Sequence, residues 1–165
     1  MRNSISLSVV VTAIMAAAAP AAAGAATVPI AGTFAADSQG TCAEPTLQGS
    51  VYRWNCIGAT ERYAGDLTST ADAVFTVDGA FNAVSGATHL TGTERFVGCV
   101  GPRCGTLDWR YHTSIKGNPE TLEPISANGR ARMTGGTGDL AGAKGTFAFT
   151  CTDPCTYEGR LVLRP

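Results

Sequence analysis

Six cysteines fall along the chain as three close pairs, and this feature limits the fold more than any other. An even number of cysteines in an exported chain predicts a disulfide framework, for which six cysteines allow about fifteen pairings. The two shorter pairs do not have the C-x₂-C spacing of a zinc knuckle, so a structural zinc site is the weaker alternative. We predict three nearest-neighbour disulfides, two of them closing hairpins: Cys42 with Cys56, Cys99 with Cys104, and Cys151 with Cys155.

Export is predicted by the amino-terminal segment. Arg2 precedes an uncharged run of apolar and small residues from Ile5 to Ala19, and Pro20 and an alanine-rich stretch follow. A positive start, a short apolar run and A-x-A sites are typical of a cleaved signal peptide, whereas a membrane anchor needs a longer apolar run. We therefore predict a secretory signal peptide over residues 1–26, a single domain over 27–165, and a secreted, extracellular protein without membrane attachment after cleavage.

The predicted mature chain has 165 − 26 = 139 residues, which suits one domain with its own core. Without Arg2 it carries 12 − 1 = 11 basic and 13 acidic side chains, a net charge of −2. This balance argues against nucleic acid or an anionic membrane as a partner. The oligomeric state is left open by the sequence.

Strict alternation of apolar and polar residues recurs along the chain, whereas helical periodicity is nearly absent after the signal segment. The run from Gly105 to His112 shows the alternation best, and Phe147 and Phe149 begin the same pattern near the carboxyl end. Alternation predicts strands with one apolar and one polar face. We expect Leu107, Trp109 and Tyr111 to face the interior, and Asp108, Arg110 and His112 to face solvent.

About nine runs have strand character, and fusion of neighbours would reduce them to eight. Turn signals are Asp78-Gly79, Lys116-Gly117-Asn118-Pro119 and Asn128-Gly129. Many short strands without crossover helices indicate a sandwich or a closed barrel. The runs are 30–34, 51–57, 62–67, 73–77, 87–97, 105–112, 125–133, the run with Phe147 and Phe149, and the carboxyl-terminal run with Tyr157, Leu161 and Leu163.

A glycine-rich segment gives the chain a recognisable motif. Residues 135–145 read GGTGDLAGAKG, and this stretch resembles the signature of dirigent proteins and is similar to that of allene oxide cyclases. It is also similar to a bacterial family of unknown function with the same barrel, as are YAGDL at 63–67 and GTERFVG at 92–98 followed by GTL at 105–107. The resemblance covers most of the chain from about Val51.

The resemblance implies an all-β fold: a single eight-stranded, or nine-stranded, antiparallel β-barrel with disulfide-pinned hairpins. Barrels of this kind enclose an apolar cavity and need no cofactor. The chain departs from the plant members in its three cysteine pairs and in the absence of a plant-type amino-terminal half. A phosphate-binding loop is a poor alternative for the glycine-rich segment, because strand-like residues and not a helix follow it.

Few residues suggest catalysis, since neither G-x-S-x-G nor H-E-x-x-H occurs and the two histidines, His89 and His112, lie among strand residues. Glu94 and Arg95 are neighbours on one strand, so one of them points inward, where a charge is costly unless it has a function. A solvated position at the rim is the plainer interpretation of both. Asp139 is a candidate acid only through the dirigent resemblance, and a turn-capping role is its alternative.

The leading functional hypothesis is a secreted barrel that binds an apolar small molecule in its interior, with or without cofactor-free cyclisation or isomerisation. The alternative is a non-enzymatic, disulfide-stapled binding or protective module whose barrel is filled by side chains. Inward glycines at Gly65, Gly105 and Gly159 favour open space, and we expect a cavity of a few hundred cubic ångströms. The predicted ligand-binding residues are Leu107, Trp109, Tyr111, Phe147, Phe149 and Tyr157; the catalytic candidates are Glu94, Arg95 and Asp139.

Overall fold

The computed structural model describes residues 24–117, 124–152 and 154–165, so the predicted signal segment lies almost entirely outside the described residues. Within these ranges the secondary structure is entirely strand and turn. No helix there is long and apolar enough to span a bilayer. The strands are β1 Ala26–Ser38, β2 Thr41–Cys42, β3 Thr46–Gln48, β4 Val51–Gly65, β5 Leu67–Asn82, β6 Ala87–Val100, β7 Arg103–Gly117, β8 Pro124–Gly138, β9 Lys144–Cys151 and β10 Cys155–Leu163.

Eight of these strands form a closed antiparallel ring. From β4 to β10 each strand pairs with the next along the chain, and β1 pairs with both β10 and β4. The pairing of β1 with β10 begins with Ala26 opposite Leu163, and its pairing with β4 begins with Gly32 opposite Gly65. Closure leaves these eight strands without a free edge. The short strands β2 and β3 lie outside the ring and pair with β4.

The predicted strand count is confirmed at eight ring strands. The predicted run 51–57 and most of the run 62–67 belong to the single strand β4, which continues through a bulge between Cys56 and Ala59 and ends at Gly65. The two short strands β2 and β3 have no counterpart in the prediction, because two or three residues are too few to show alternation.

Two predicted turns are wrong. Asp78-Gly79 lies within β5 and Asn128-Gly129 within β8. In both places the glycine is opposite an aromatic residue, Gly79 opposite Trp54 and Gly129 opposite Phe149. A Cβ at either glycine would overlap the aromatic ring, so these glycines make room for a side chain and do not reverse the chain. The third predicted turn falls mostly outside the described residues, and its Gly117 ends β7.

The same pairing of glycine with an aromatic residue recurs around the ring. Gly32 lies opposite Tyr157 and Gly92 opposite Tyr111, and a Cβ at either glycine would come within contact distance of the tyrosine hydroxyl. Together with Trp54–Gly79 and Phe149–Gly129 these four cross-strand pairs let large rings lie along the wall. We call them the glycine–aromatic pairs.

The three disulfides form as predicted, between nearest neighbours in the sequence. Each links residues that face each other across two antiparallel strands, so the register and the covalent bond support the same pairing. The described residues contain no free cysteine. Three disulfides are typical of an oxidising compartment.

The ring is filled by side chains at one end only. Large residues there are fully buried, with Leu67, Phe96, Leu107 and Leu161 at 0% exposure and Leu140, from the turn after β8, at 1%. Aromatic residues toward the middle continue this core, and an open space follows at the other end. One end of the ring is therefore a packed core and the other end forms a cavity.

Candidate functional site

The cavity has a volume of about 530 Å³ and opens at the end of the ring where β9 meets β10. This volume agrees with the expected few hundred cubic ångströms and lies within the range of small-molecule sites. The disulfide between Cys151 and Cys155 lies at its rim. Aromatic and aliphatic residues make up most of the wall: Phe34, Ala35, Ala36, Tyr63, Phe75, Val77, Leu90, Trp109, Tyr111, Ile115, Ala127, Phe147 and Phe149.

Four of the six predicted ligand-binding residues line this cavity. Trp109 forms part of its floor with Phe147, the ring centroids 5.3 Å apart and the planes nearly perpendicular. Tyr111 and Phe149 lie closer to the opening. The structure also confirms the predicted parity of β7, since Leu107 and Trp109 are buried while Arg110 and His112 are exposed.

The other two predicted residues lie elsewhere. Leu107 is part of the packed end and is 0% exposed. Tyr157 is buried beside the packed end, where its hydroxyl accepts a hydrogen bond from the Leu67 backbone N–H at 2.8 Å and lies 3.3 Å from the Ala64 carbonyl oxygen. Its burial, which outweighs that hydrogen bond, raises the pKa of Tyr157 to about 12. This tyrosine therefore ties β10 to the turn between β4 and β5.

Of the neighbours Glu94 and Arg95, the glutamate faces inward. Glu94 lines the cavity and is only 7% exposed. Arg95 lies on the outer face, where it makes two hydrogen bonds with the Asp108 carboxylate at 2.7 and 3.2 Å. Arg95 therefore has a surface role, and the costly inward charge belongs to Glu94.

A second buried glutamate accompanies the first. Glu61 on β4 is also 7% exposed and lines the same cavity. The Tyr63 hydroxyl donates a hydrogen bond to Glu61 Oε1 at 2.5 Å, and the Trp109 indole N–H donates to Glu94 Oε2 at 2.8 Å. We call Glu61 and Glu94 the glutamate pair. Each carboxyl thus has an aromatic donor that holds it in place.

Burial changes the protonation of the pair. Burial raises the pKa of Glu94 well above its usual range, and the charge of Glu61 raises it further. Burial also raises the pKa of Glu61, although hydrogen bonds from its neighbours oppose the change. Burial and the two glutamate charges raise the pKa of Tyr63, so this tyrosine is a neutral donor. The glutamate pair therefore retains a proton to a higher pH than an exposed pair would.

Asp139 lies outside the cavity. It is exposed in the turn after β8, at the packed end of the ring, and its backbone N–H donates to the Cys104 carbonyl oxygen at 3.0 Å. Its carboxylate lies 3.5 Å from the Cys104 backbone nitrogen, at the limit of a hydrogen bond. The structure therefore gives Asp139 the turn-forming role that was its alternative, and it does not bring Asp139 near Glu94.

The expectation that inward glycines open the interior is wrong. A Cβ at Gly105 would overlap the Thr137 carbonyl oxygen of the next strand, and one at Gly159 would overlap the Thr146 carbonyl oxygen. Gly65 has a φ of +107° and contacts the backbone of Ala31 and Gly32. These glycines allow close approach of neighbouring strands. The space arises instead because alanines and Ser126 line the mouth of the cavity.

The sequence prediction missed Glu61 and Tyr63 as site residues. A signal was present, since Ala59, Glu61 and Tyr63 alternate with the exposed Arg62 and Ala64, which places a carboxyl in an inward series. Neither residue belongs to a set that could hold a metal ion, and among the described residues no group of three or more suitable side chains does so. The site is thus a cavity lined by aromatic rings with two carboxyl groups.

Comparisons with known proteins support the fold described above and give no information about activity. No family model matches the chain, and no curated protein matches it either. Among solved structures, the chain is similar to a protein of unknown function from the DUF3224 family of Shewanella oneidensis MR-1. The TM-score is 0.66 at 20% identity, over 85% of this chain and 99% of that one. This likeness shows a shared fold with a bacterial family of unknown function, and it gives no support to the more specific resemblance to allene oxide cyclases and dirigent proteins.

Proposed function

We propose that this protein is a secreted β-barrel that binds an apolar small molecule in the cavity at the open end of its strand ring. The observation that carries the proposal is the cavity of about 530 Å³ whose wall is mainly aromatic and aliphatic. Burial of apolar ligand surface against such a wall is favourable by roughly 25 cal/mol per Å². A few polar groups, here the glutamate pair, then fix the orientation of the ligand.

The packed end supports the same proposal. A ring filled along its whole length would have no room for a ligand, which was the alternative hypothesis of a protective module. Here the fully buried leucines and Phe96 stabilise one end, so the other end can remain open without loss of a core. The disulfide at the rim holds the β9–β10 hairpin that borders the opening.

A fluorescent neutral probe tests the proposal. We expect N-phenyl-1-naphthylamine, whose arylamine is uncharged at neutral pH, to bind the purified protein and to gain fluorescence in the cavity. The variant Ala127→Trp places a large side chain in the mouth and is expected to weaken binding at least tenfold. Ala148→Trp, on the exposed outer face of β9, is the matched control and should bind as the parent does.

Circular dichroism and thermal melts verify that both variants fold. Absence of probe binding to the parent protein would contradict the proposed function. Equal weakening by the cavity variant and the surface variant would also contradict it, because the probe would then bind elsewhere. If the probe binds in the cavity, its displacement by extracts of the medium into which the protein is secreted would identify the natural ligand class.

A cofactor-free isomerase or cyclase is the second candidate, and the position of Glu94 favours it. A carboxyl group that keeps its proton inside a largely apolar cavity can donate that proton to a bound ligand as a general acid. The Trp109 indole would hold the carboxyl in one orientation during the transfer. Product formation from a bound ligand, lost in Glu94→Gln even at ligand concentrations that saturate this variant, is the result that would establish catalysis.

A further inference from the structure

Among the described residues, the lining of the cavity combines aromatic rings with acidic groups and includes no basic side chain. Seven of the described lining residues are aromatic, and the ionisable groups of that described lining are Tyr63, Tyr111, Glu61 and Glu94. Neither Lys, Arg nor His is among the described residues of the lining. A buried carboxylate without a counterion is costly, so this composition is complementary to a cation supplied from outside.

The hydrogen bonds of the pair leave one oxygen unsatisfied. Trp109 donates to Glu94 Oε2 and Tyr63 donates to Glu61 Oε1. Glu94 Oε1 is buried and has no hydrogen-bond partner among the described residues. Buried polar atoms in folded proteins nearly always have a partner, and an exception requires an explanation such as a ligand. The missing partner has to be a donor if the carboxyl is ionised.

We propose that the ligand of this cavity is a hydrophobic amine whose ammonium group binds the glutamate pair and donates a hydrogen bond to Glu94 Oε1. This inference rests on the proposed function, since it specifies the chemical class of the apolar ligand. The hydrocarbon part of the amine occupies the aromatic wall toward the opening. The ammonium group lies at the floor, beside Trp109 and Tyr63.

Two features favour a cation over a neutral polar group. The aromatic contacts of the pair are both donors, an indole N–H and a phenol O–H, which stabilise carboxylate oxygens as acceptors. The rings of Tyr63 and Trp109 meet edge to face, with centroids 5.7 Å apart, and Trp and Tyr are the rings that attract cations best. A ligand alcohol or carbonyl would leave the acidic floor without a counterion.

Binding is therefore linked to the protonation of the pair. The titratable groups that face Glu94 are Glu61 and Tyr63 from β4 and Tyr111 from β7. Both tyrosines remain neutral, since their pKa values are raised by burial. An alkylammonium group keeps its charge up to about pH 10, so the charge of the ligand is constant over the pH interval in which the glutamate pair loses its retained proton. Affinity for an amine should rise over that interval, whereas affinity for an alcohol should not.

A matched series of three ligands tests the inference by isothermal titration calorimetry. The probes are 4-phenylbutylamine, 4-phenylbutan-1-ol and 4-phenylbutanoic acid, which share one apolar part and differ in the head group. At about pH 8 we expect the amine to bind at least tenfold more tightly than the alcohol, and the acid to bind weakest. Glu94→Gln should remove at least tenfold of the amine affinity and change that of the alcohol less than about threefold.

The control variant is Glu158→Gln, which removes a carboxylate from the exposed face of β10 and should leave all three affinities unchanged. Equal or tighter binding of the alcohol by the parent protein would overturn the inference and leave the proposed function intact. Failure of every probe, including N-phenyl-1-naphthylamine, would overturn both. The comparison of head groups on the parent protein needs no variant, so a folding defect in Glu94→Gln would not prevent the test.

Discussion

Replacement of Glu94 by Gln should change how stability depends on pH. The folded-state pKa of Glu94 is raised above the ordinary value of 4.5, chiefly by burial and then by the charge of Glu61. The folded protein therefore holds a proton that the unfolded chain has lost. This contribution to stability is complete below about pH 4.5 and is lost as the pH rises through the folded-state pKa. Glutamine has the same shape and does not ionise.

The magnitude follows from proton linkage. Where the folded state binds one proton more than the unfolded state, the free energy of unfolding falls by about 1.4 kcal/mol for each pH unit. Glu94 is only 7% exposed, so solvent screening does not reduce this slope appreciably. As the pH rises from about 4.5 through the raised folded-state pKa of Glu94, the parent protein should lose stability relative to Glu94→Gln, by at most that amount for each pH unit. Glu61 remains in both proteins and contributes to both curves.

Urea unfolding at intervals over this range, followed by tryptophan fluorescence, measures the effect. Trp109 reports on the site directly, because its indole N–H donates to Glu94. Glu158→Gln is the control, since its side chain is exposed and its curve should parallel that of the parent. Parallel curves for the parent and Glu94→Gln would refute the reasoning, because they would mean that Glu94 ionises as easily in the folded protein as in the unfolded chain.

Three further predictions concern the wall, the disulfides and the amino terminus. Gly129→Ala should cost about 1–3 kcal/mol in thermal melts by overlap with the Phe149 ring, whereas Gly135→Ala, where a Cβ would meet no atom closer than 3.6 Å, should cost less. Replacing Cys42 and Cys56 together by Ser should lower the free energy of unfolding by about 3 kcal/mol, and an unchanged urea midpoint would contradict this. Amino-terminal sequencing of exported protein should begin within about three residues of Thr27, and an intact Met1 would exclude cleavage.

Alternation in the sequence was enough to predict the strands and the faces of β7, because an antiparallel strand keeps its parity as long as its register is regular, whereas the choice of a closed ring over a sandwich rested on the family resemblance. It could not decide between Glu94 and Arg95, since Phe96 shares the parity of Glu94 and the apolar Val97 shares the parity of Arg95. Pairing with β7 decides the matter: Glu94 lies opposite Trp109 and Arg95 opposite Asp108.

Glu61 was missed for a different reason. In β4 the buried position is Cys56 before the bulge and Ala59, Glu61 and Tyr63 after it, so the bulge moves the inward series from even to odd residues. A pattern that changes parity within one strand is hidden from a search for strict alternation. The two wrong turns also depend on information that a local pattern lacks. Gly79 and Gly129 are explained by aromatic partners on neighbouring strands, which are distant in the sequence.

The glycine–aromatic pairs separate the residues that touch a ligand from the residues that determine how much room it has. Tyr111 and Phe149 line the cavity, whereas their partners Gly92 and Gly129 do not. A methyl group on Gly129 would overlap the Phe149 ring, and one on Gly92 would overlap the Thr76 carbonyl oxygen and the Tyr111 hydroxyl, so either would shift the wall and alter the width of the cavity without adding an atom to its surface. Ligand selectivity in this fold can therefore change through substitutions that a contact map of the bound complex would never show.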